Sequence, residues 1–276
     1  MLPDSLYLNQ SIKMESIKDK WNNSDSYEYF MGRWSSLMAV SFLEWLNVPA
    51  GKNWLDIGCG TGALSEAIEK QANPHTLSGI DASKFFIDKA KQRLLKPHIY
   101  TAATVDHLPF ENEKFEILVS GLAFNFFPDP EKALLEIKRV SKPKAIIAAY
   151  VWDYAGKMEF LRYFWDAAYS LDSNTKNLDE GIRFPICNTE KLSALFQKMV
   201  LKNVVTSFLD IETVFKDFDD YWNPFLGGQG PAPGYLQSLD TKSQLRLKNE
   251  IQQRITLETD GSIRLIGRAI VVKGTV

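Results

Sequence analysis

The chain has 276 residues, about twice the usual domain size, which points to one large domain or to a core with an insertion. Hydrophobic residues make up 45% and charged residues 24%, a composition that excludes a largely disordered chain. Thirty-two Lys plus Arg against thirty-four Asp plus Glu leave a formal charge of −2, so there is no broad basic footprint for a nucleic acid. The longest apolar run, Ala145–Trp152, is eight residues, too short for a bilayer. The start, MLPDSLYLNQ, has no basic residues leading into an apolar run, and Cys59 and Cys187 cannot build a disulfide framework. The expectation is a cytoplasmic protein with no secretory leader and no membrane span.

Residues 1–24 are polar and weakly patterned, an arm over the surface. From Tyr27 to Leu46 the apolar residues Phe30, Trp34, Leu37, Met38, Phe42, Trp45 and Leu46 recur at helical steps, which predicts one buried face ending at Pro49 and Gly51. Strand and helix then alternate. Asn53–Ile57 reads as a strand running into glycines, followed by a helix through Gln71 and a strand at His75–Ile80. Ser83 caps a helix of Lys84–Leu95 with Phe85, Ile87, Ala90 and Leu94 inward. Ile99–Ala102 and Phe115–Val119 are the third and fourth strands. Asp129-Pro130-Glu131 starts a helix that carries Leu134, Leu135, Ile137 and Val140, and Ala145–Val151 is an apolar fifth strand covered on both faces.

The regular alternation then stops. Residues 155–200 read as two helices around a polar loop at Asp172–Glu180, and Val204–Ile211 alternates like a strand. Asn223–Gly234 (NPFLGGQGPAPG) holds four Gly and three Pro, a composition suited to a shaped wall or a lid with two preferred positions. Asp240–Thr256 is a polar amphipathic helix and Ser262–Val272 a last strand. The architecture is an α/β doubly wound sheet with helical additions after the fifth strand. Its division is 1–52 as a helical arm or cap, 53–154 with 201–276 as the core, and 155–200 as a helical insertion over the active site.

The strongest chemical signal is WLDIGCGTGAL, Trp54–Leu64. Gly58, Gly60 and Gly62 fall between a strand and a helix, where a ligand can approach a backbone without Cβ atoms. Gly58, Gly60 and Ala63 also satisfy the dinucleotide fingerprint, so the glycines alone leave a dinucleotide oxidoreductase open. Asp56 tilts the reading, because a carboxylate beside the loop repels a pyrophosphate and favours a ligand with an ammonium group. Asp81, in GIDAS at the end of the second strand, is placed to accept both hydroxyls of a ribose, or else to cap the following helix. Asp106, in TVDHLPF after the third strand, is placed to accept from an exocyclic amine, or is an ordinary loop acid.

Together the segments DIGCGTG, GIDAS, DHLPF and RVSKPKA resemble the class I S-adenosylmethionine-dependent methyltransferases, in the ubiquinone/menaquinone-type (methyltransferase type 11) branch. The resemblance covers Asn53 to Tyr150. It implies a Rossmann-like, doubly wound, seven-stranded sheet, mostly parallel with an antiparallel last strand. It also implies S-adenosyl-L-methionine as cofactor. Asp56 and the loop Gly58, Cys59, Gly60, Thr61 and Gly62 would hold its methionine part, Asp81 with Ala82 and Ser83 its ribose, and Val105, Asp106 and His107 its adenine. Ser120 to Asn125 would flank the methyl group. Two positions depart from the family pattern: His107 stands where Ala is usual, and Lys144-Ala145 replaces Gly-Gly. The flanks YEYFMGRWSS and FDDYWNPFLGGQGPAPGY are also similar to uncharacterised bacterial members and bring no substrate with them.

The remaining candidates carry two readings each. Tyr27 and Arg33 lie on the polar side of the first helix, and Arg33 either pairs with the methionine carboxylate or an acidic substrate, or is a solvated arginine. Trp152 and Asp153 follow the fifth strand at the carboxyl edge of the sheet, where an acceptor or ordinary packing would account for them. Asp153 and His107 are the candidates for a general base. Asn125, Trp152 and Trp222 join Tyr27 as candidate acceptor contacts. Cys59 lacks a basic neighbour and reads as a small filler. His75, His98 and His107 lack ligand spacing, so no metal site is expected. The expected activity is methyl transfer to a small-molecule acceptor by a monomer or homodimer without a nucleic-acid partner. A catalytically silent S-adenosylmethionine-binding protein on the same scaffold is the alternative.

Overall fold

Most early strands are followed by a helix that carries the chain back to the same edge, as a parallel sheet requires, and the connection from Ala102 to Phe115 does so without one. The computed structural model describes residues 28–96, 98–227 and 230–276. A π-helical turn, Glu28–Gly32, leads into α1 (Arg33–Leu46). Then come β1 (Asn53–Ile57), α2 (Ala63–Gln71), β2 (Thr76–Asp81), α3 (Lys84–Arg93), β3 (Ile99–Ala102) and β4 (Phe115–Gly121). A 3-10 turn, Phe124–Phe126, precedes α4 (Pro130–Val140) and β5 (Ser141–Trp152). The second half holds α5 (Glu159–Leu171), a 3-10 stretch Ser173–Leu178, α6 (Glu180–Arg183), α7 (Thr189–Lys198) and β6 (Lys202–Phe215). It closes with α8 (Phe218–Trp222), a 3-10 stretch Asn223–Gly227, α9 (Pro231–Ser238), α10 (Thr241–Arg254) and β7 (Ile263–Thr275).

The seven strands form one sheet in the order β3-β2-β1-β4-β5-β7-β6. The first five are parallel, and β7 runs antiparallel between β5 and β6. This is the Rossmann-like, mostly parallel arrangement that the motifs imply. Strand order reverses between β1 and β4, the switch point beyond whose carboxyl ends ligands of such sheets bind. Local capping fixes the helices around it. Ser83 accepts from the Phe86 N–H, and Asp129 accepts from the Lys132 N–H ahead of Pro130.

Some details differ from the sequence pattern. Leu37, Phe85 and Leu135, expected inward, are exposed, because the apolar stripe of each helix is narrower than the run of apolar letters. The fifth strand begins at Ser141, since a register shift against β4 and a left-handed Lys144 let it absorb Pro143. Residues 155–200 form α5, α6, α7 and a 3-10 stretch, because Asp172 and Asp179 each cap a short helical piece inside the polar segment. The Gly/Pro segment is mostly helical: Pro231 opens α9 after Gly230 at φ +88°, and Phe225 is fully buried.

The aromatic residues of the second half form one continuous core with α1. Phe160 packs on Phe30, Phe215, Tyr221 and Phe225, and Trp34 meets Phe215 edge-on. Such rings bury large apolar areas and fix the angles between the elements that carry them.

Candidate functional site

The carboxyl ends of β1, β2 and β4 surround a cavity of about 790 Å³. Gly58, Gly60 and Gly62 all take positive φ, which turns the chain sharply from β1 into α2. A Cβ on Gly58 would fall 2.5 Å from the Ala123 Cβ, so the loop sits directly against the segment after β4. A Cβ on Gly60 would meet nothing within 4 Å, and this glycine faces the cavity. The loop is tied down by its own backbone, with the Cys59 N–H on the Ile80 carbonyl and the Gly62 N–H on that of Cys59.

Three acids line this space: Asp56 near the end of β1, Asp81 at the end of β2 and Asp106 beyond β3. Asp56 is fully buried; its Oδ2 accepts from the Ser65 hydroxyl at 2.6 Å and its Oδ1 has no partner. Burial, opposed by Ser65 and reinforced by Asp81, lifts its pKa to about 7. Asp81 accepts from the Gly60 N–H at 3.0 Å and the Ser83 N–H at 2.8 Å, so it both braces the glycine loop and steadies the start of α3. Burial raises its pKa against those two hydrogen bonds. Asp106 is exposed at the far rim and pairs with Lys132 at 3.2 Å. Bonds from Thr104 and Lys132 hold its carboxyl below the usual range. Burial pushes the Cys59 thiol well up, with Asp56 and Asp81 adding to the effect, so it is no nucleophile at neutral pH.

The cavity gathers Asp56, Gly58, Cys59, Gly60, Thr61, Asp81, Ala82, Ser83, Val105 and Asp106 from the sequence-predicted set. Gly62 turns the other way, against Ala90 of α3. His107 is exposed and belongs to a separate surface depression with Leu108, Phe110, Glu136 and Arg139. Ser120 and Asn125 are buried, with no partner for the serine hydroxyl or either amide atom, and do not line the cavity. Arg33 donates to Asp220 of α8 and lies outside the cavity lining. Asp153 accepts from the Gly156 and Lys157 N–H groups, capping the turn after β5. Trp152 and Trp222 are buried in the packing and reach no part of the cavity wall. Tyr27 lies outside the described residues.

Other lining groups carry no motif. Ser35 of α1 and Tyr150 of β5 also line the cavity, with Tyr150 beside Gly121 and Leu122. Tyr150 stands opposite Gly121 in the sheet, and a Cβ at 121 would lie 2.6 Å from its hydroxyl. Phe126, Phe127, Pro128, Asp129 and Lys132 form the wall on the side of Asp106. Phe184, ahead of α7, meets Phe126 edge-on at 5.0 Å, yet nothing from residues 155–200 lines the cavity itself. Tyr150 and Trp152 share a face of β5, and the sequence names Trp152 where the cavity is lined by Tyr150.

Among the described residues no three His, Cys, Asp or Glu side chains gather as a metal site, and no helix is long and apolar enough to cross a membrane. The geometry suits a cationic, ribose-bearing ligand. A buried oxygen of Asp56 lacks a partner, Asp81 stands within the cavity, and the backbone at Gly60 is open to close approach. A volume of about 790 Å³ lies within the range of small-molecule sites and leaves space for a second molecule.

Residues 55–149, less than half of the chain, match a family model described as a methyltransferase domain. A demethylmenaquinone methyltransferase from Lactobacillus johnsonii is 32% identical over 108 residues, 37% of this chain and 44% of that one. A 2-phytyl-1,4-naphtoquinone methyltransferase from Trichormus variabilis is 31% identical over 109 residues, 37% and 48% of the two chains. The chain thus spans less than half the length of these curated relatives. In fold it resembles a phosphoethanolamine N-methyltransferase 2 from Haemonchus contortus, whose structure holds S-adenosylhomocysteine. The TM-score is 0.56 at 14% identity, covering 91% of this chain and 56% of that one.

Proposed function

We propose that the chain, whose residues 55–149 match a methyltransferase-domain model, is a class I S-adenosylmethionine-dependent methyltransferase that methylates a small molecule held in this cavity. The observation that carries this reading is the convergence of Asp56, Asp81 and Asp106 with an open glycine loop on one cavity. The cofactor, S-adenosyl-L-methionine, supplies an electrophilic methyl group on its sulfonium. Everything else falls to the chain's own residues.

Asp56 offers its free Oδ1 to an ammonium group, and Asp81 has lone pairs left for two vicinal hydroxyls after its backbone bonds. Asp106, together with the backbone of Val105, meets the base edge between Leu122 and the Phe126–Phe127 wall. Leu122, Phe126 and Phe127 keep water from the centre of the cavity, and the apolar surroundings leave the acceptor to be aligned by contact. Tyr150 and Ser35 also line the cavity, the Ser35 hydroxyl being held by the Met31 carbonyl. Among the described residues the charged lining groups are Asp56, Asp81, Asp106, Asp129 and the one cation Lys132, a balance that disfavours a polyanionic acceptor such as a nucleic acid.

Calorimetric titration with S-adenosylmethionine, S-adenosylhomocysteine and NAD(H) tests the cofactor. Binding of the first two with no NAD(H) heat is expected, and tight NAD(H) binding alone overturns the reading. A screen of quinols, phenols, small amines and carboxylates with methyl-labelled cofactor then tests for transfer.

A further inference from the structure

The segment between α5 and α7 supplies no lining residue, yet it touches the cavity wall through the ring of Phe184. Phe126, on the 3-10 turn after β4, lines the cavity and is 39% exposed, so it stands at the opening, whereas Phe127 beside it is half-buried. Exposed side chains exchange rotamers within nanoseconds unless a neighbour restrains them. Here the neighbour is Phe184, whose ring meets that of Phe126 edge-on, with 5.0 Å between centroids and 76° between planes.

Phe184 is the firmly anchored member of the pair. Its N–H donates to the Glu180 carbonyl at 2.9 Å, and its carbonyl accepts from the Cys187 N–H at 3.0 Å, so the backbone is tied on both sides. The ring of Tyr154, just after β5, packs on it with centroids 5.9 Å apart. The single turn of α6 ahead of it is held from several directions. Asp179 accepts from the Gly181 N–H at 2.8 Å and pairs with Arg162 of α5 at 2.6 Å. Glu180 is buried and accepts from the Trp165 indole, and a Cβ on Gly181 would lie 3.0 Å from the Ala155 Cα. The fixed ring therefore belongs to the inserted segment, and the exposed one to the cavity wall.

We propose that Phe184 is a positioning residue for Phe126: the inserted segment holds the two rings edge-on, and the pair sets how large an apolar acceptor enters the cavity. The proposal rests on the reading above, in which the cavity takes a small acceptor beside the cofactor. Leu122, Phe126, Phe127 and Pro128 give this part of the lining apolar surface, so a molecule passing it is sorted by fit. A ring held in one orientation fixes that fit, and a ring free to turn widens it.

The test is binding of phenol, 2-naphthol and 4-phenylphenol, followed by NMR with and without saturating S-adenosylhomocysteine. The proteins are the parent, Phe184→Ala, Phe184→Tyr, Phe126→Ala and the double variant Phe126→Ala/Phe184→Ala. The readout is the affinity for each larger probe relative to phenol, a ratio that a general loss of stability does not move. Phe184→Ala should raise the ratio for 4-phenylphenol about two- to tenfold, the scale of one edge-on aromatic pair. Phe184→Tyr keeps the ring and should keep the parent's ratio. Phe126→Ala should raise the ratio by itself, and adding Phe184→Ala should change it no further. S-adenosylhomocysteine affinity in Phe184→Ala should stay within about threefold of the parent's, roughly 0.7 kcal/mol. An unchanged ratio in Phe184→Ala, the same effect whether or not Phe126 is present, or no binding of any probe by any of the proteins overturns the proposal. So does a tenfold loss of S-adenosylhomocysteine affinity in Phe184→Ala at the parent's ratio, which would make the pair a cofactor contact. If the ratios behave as expected but the parent does not bind S-adenosylhomocysteine, the cofactor reading falls and the hold of Phe184 on Phe126 stands.

Discussion

Phe164 of α5 and Phe225 of the Gly/Pro segment stack with ring centroids 4.6 Å apart and planes 16° from parallel. Phe225 also packs on Phe30 and Phe160, and is fully buried. The segment is therefore anchored in the aromatic core, and its prolines serve as helix starts. Phe225→Ala is expected to lower the free energy of unfolding by about 3–5 kcal/mol, as other buried Phe truncations do. Urea unfolding checks this. A loss under 1 kcal/mol, roughly the effect of a surface change, would return the segment to the role of a mobile lid.

Gly79 and Tyr100 offer a test of packing that needs no ligand. A methyl group at 79 would collide with the ring at 2.2 Å, so Gly79→Ala should cost about 1–3 kcal/mol through overpacking. In a Tyr100→Ala background the same change meets an empty space and should cost far less. The four proteins make a double-mutant cycle, with an expected coupling of about 1–3 kcal/mol. Additive effects would mean that the ring moves aside freely.

The parts of the structure written in short-range rules were legible in the sequence. Asp129-Pro130 specifies a helix start by its own chemistry, and the glycine loop with Asp56 and Asp81 declares its turn and its charge. Tyr150, Ser35 and Lys132 were not legible, because each enters the cavity through a tertiary neighbour: Tyr150 through Gly121, Ser35 through the packing of α1, Lys132 through Asp106. Arg33 and Asp153 were misplaced for the opposite reason. Arg33 begins α1 and Asp153 follows β5, and a distant partner holds the one and local N–H groups the other. The Gly/Pro segment misled because proline restricts a loop and starts a helix by the same fixed φ.

Glu180 gives a pH prediction. It is buried at the start of α6, where the Trp165 indole N–H donates to it, and burial lifts its pKa to about 7. The unfolded chain ionises Glu at about 4.3, so between that value and about 7 the folded state holds a proton that the unfolded state has lost. This group's contribution to stability is present at low pH and is lost as pH rises through that window. Glu180→Gln cannot ionise. Its stability relative to the parent should rise from pH 4.5 to about 7 and level off above that, read as the difference in thermal midpoint. A difference independent of pH would show that the carboxyl titrates normally.

Asp81 and Gly60 test the cofactor cradle from two sides. Asp81→Ala removes the acceptor of the Gly60 and Ser83 N–H groups together with the proposed ribose contact, and should weaken S-adenosylhomocysteine binding by about 1–3 kcal/mol. Gly60→Val adds branches where the cavity is open and strains a backbone at φ +53°, so its loss should be larger. Both follow from calorimetry on folded protein. Parental affinity in both variants would place the cofactor elsewhere.

Arg33 separates a binding residue from a brace. Its Nη1 donates to both oxygens of Asp220 at 3.2 Å, and its guanidinium lies 4.3 Å from the Trp34 ring centroid and 4.8 Å from that of Phe215. A planar cation stacked on two rings is held by geometry that lysine cannot reproduce. Arg33→Lys and Arg33→Met should therefore both destabilise the junction of α1 with α8, by about 1–2 kcal/mol once solvent screening of this partly exposed pair is allowed for. Asp220→Asn should show a smaller loss, because the stacking on Trp34 and Phe215 survives it. S-adenosylhomocysteine affinity should stay within about threefold in all three, since neither residue lines the cavity. A tenfold loss of affinity in Arg33→Met with unchanged unfolding would show instead that the guanidinium leaves Asp220 for the methionine carboxylate when the cofactor binds. Asp220→Asn would then bind more tightly than the parent, because the competing carboxylate is gone.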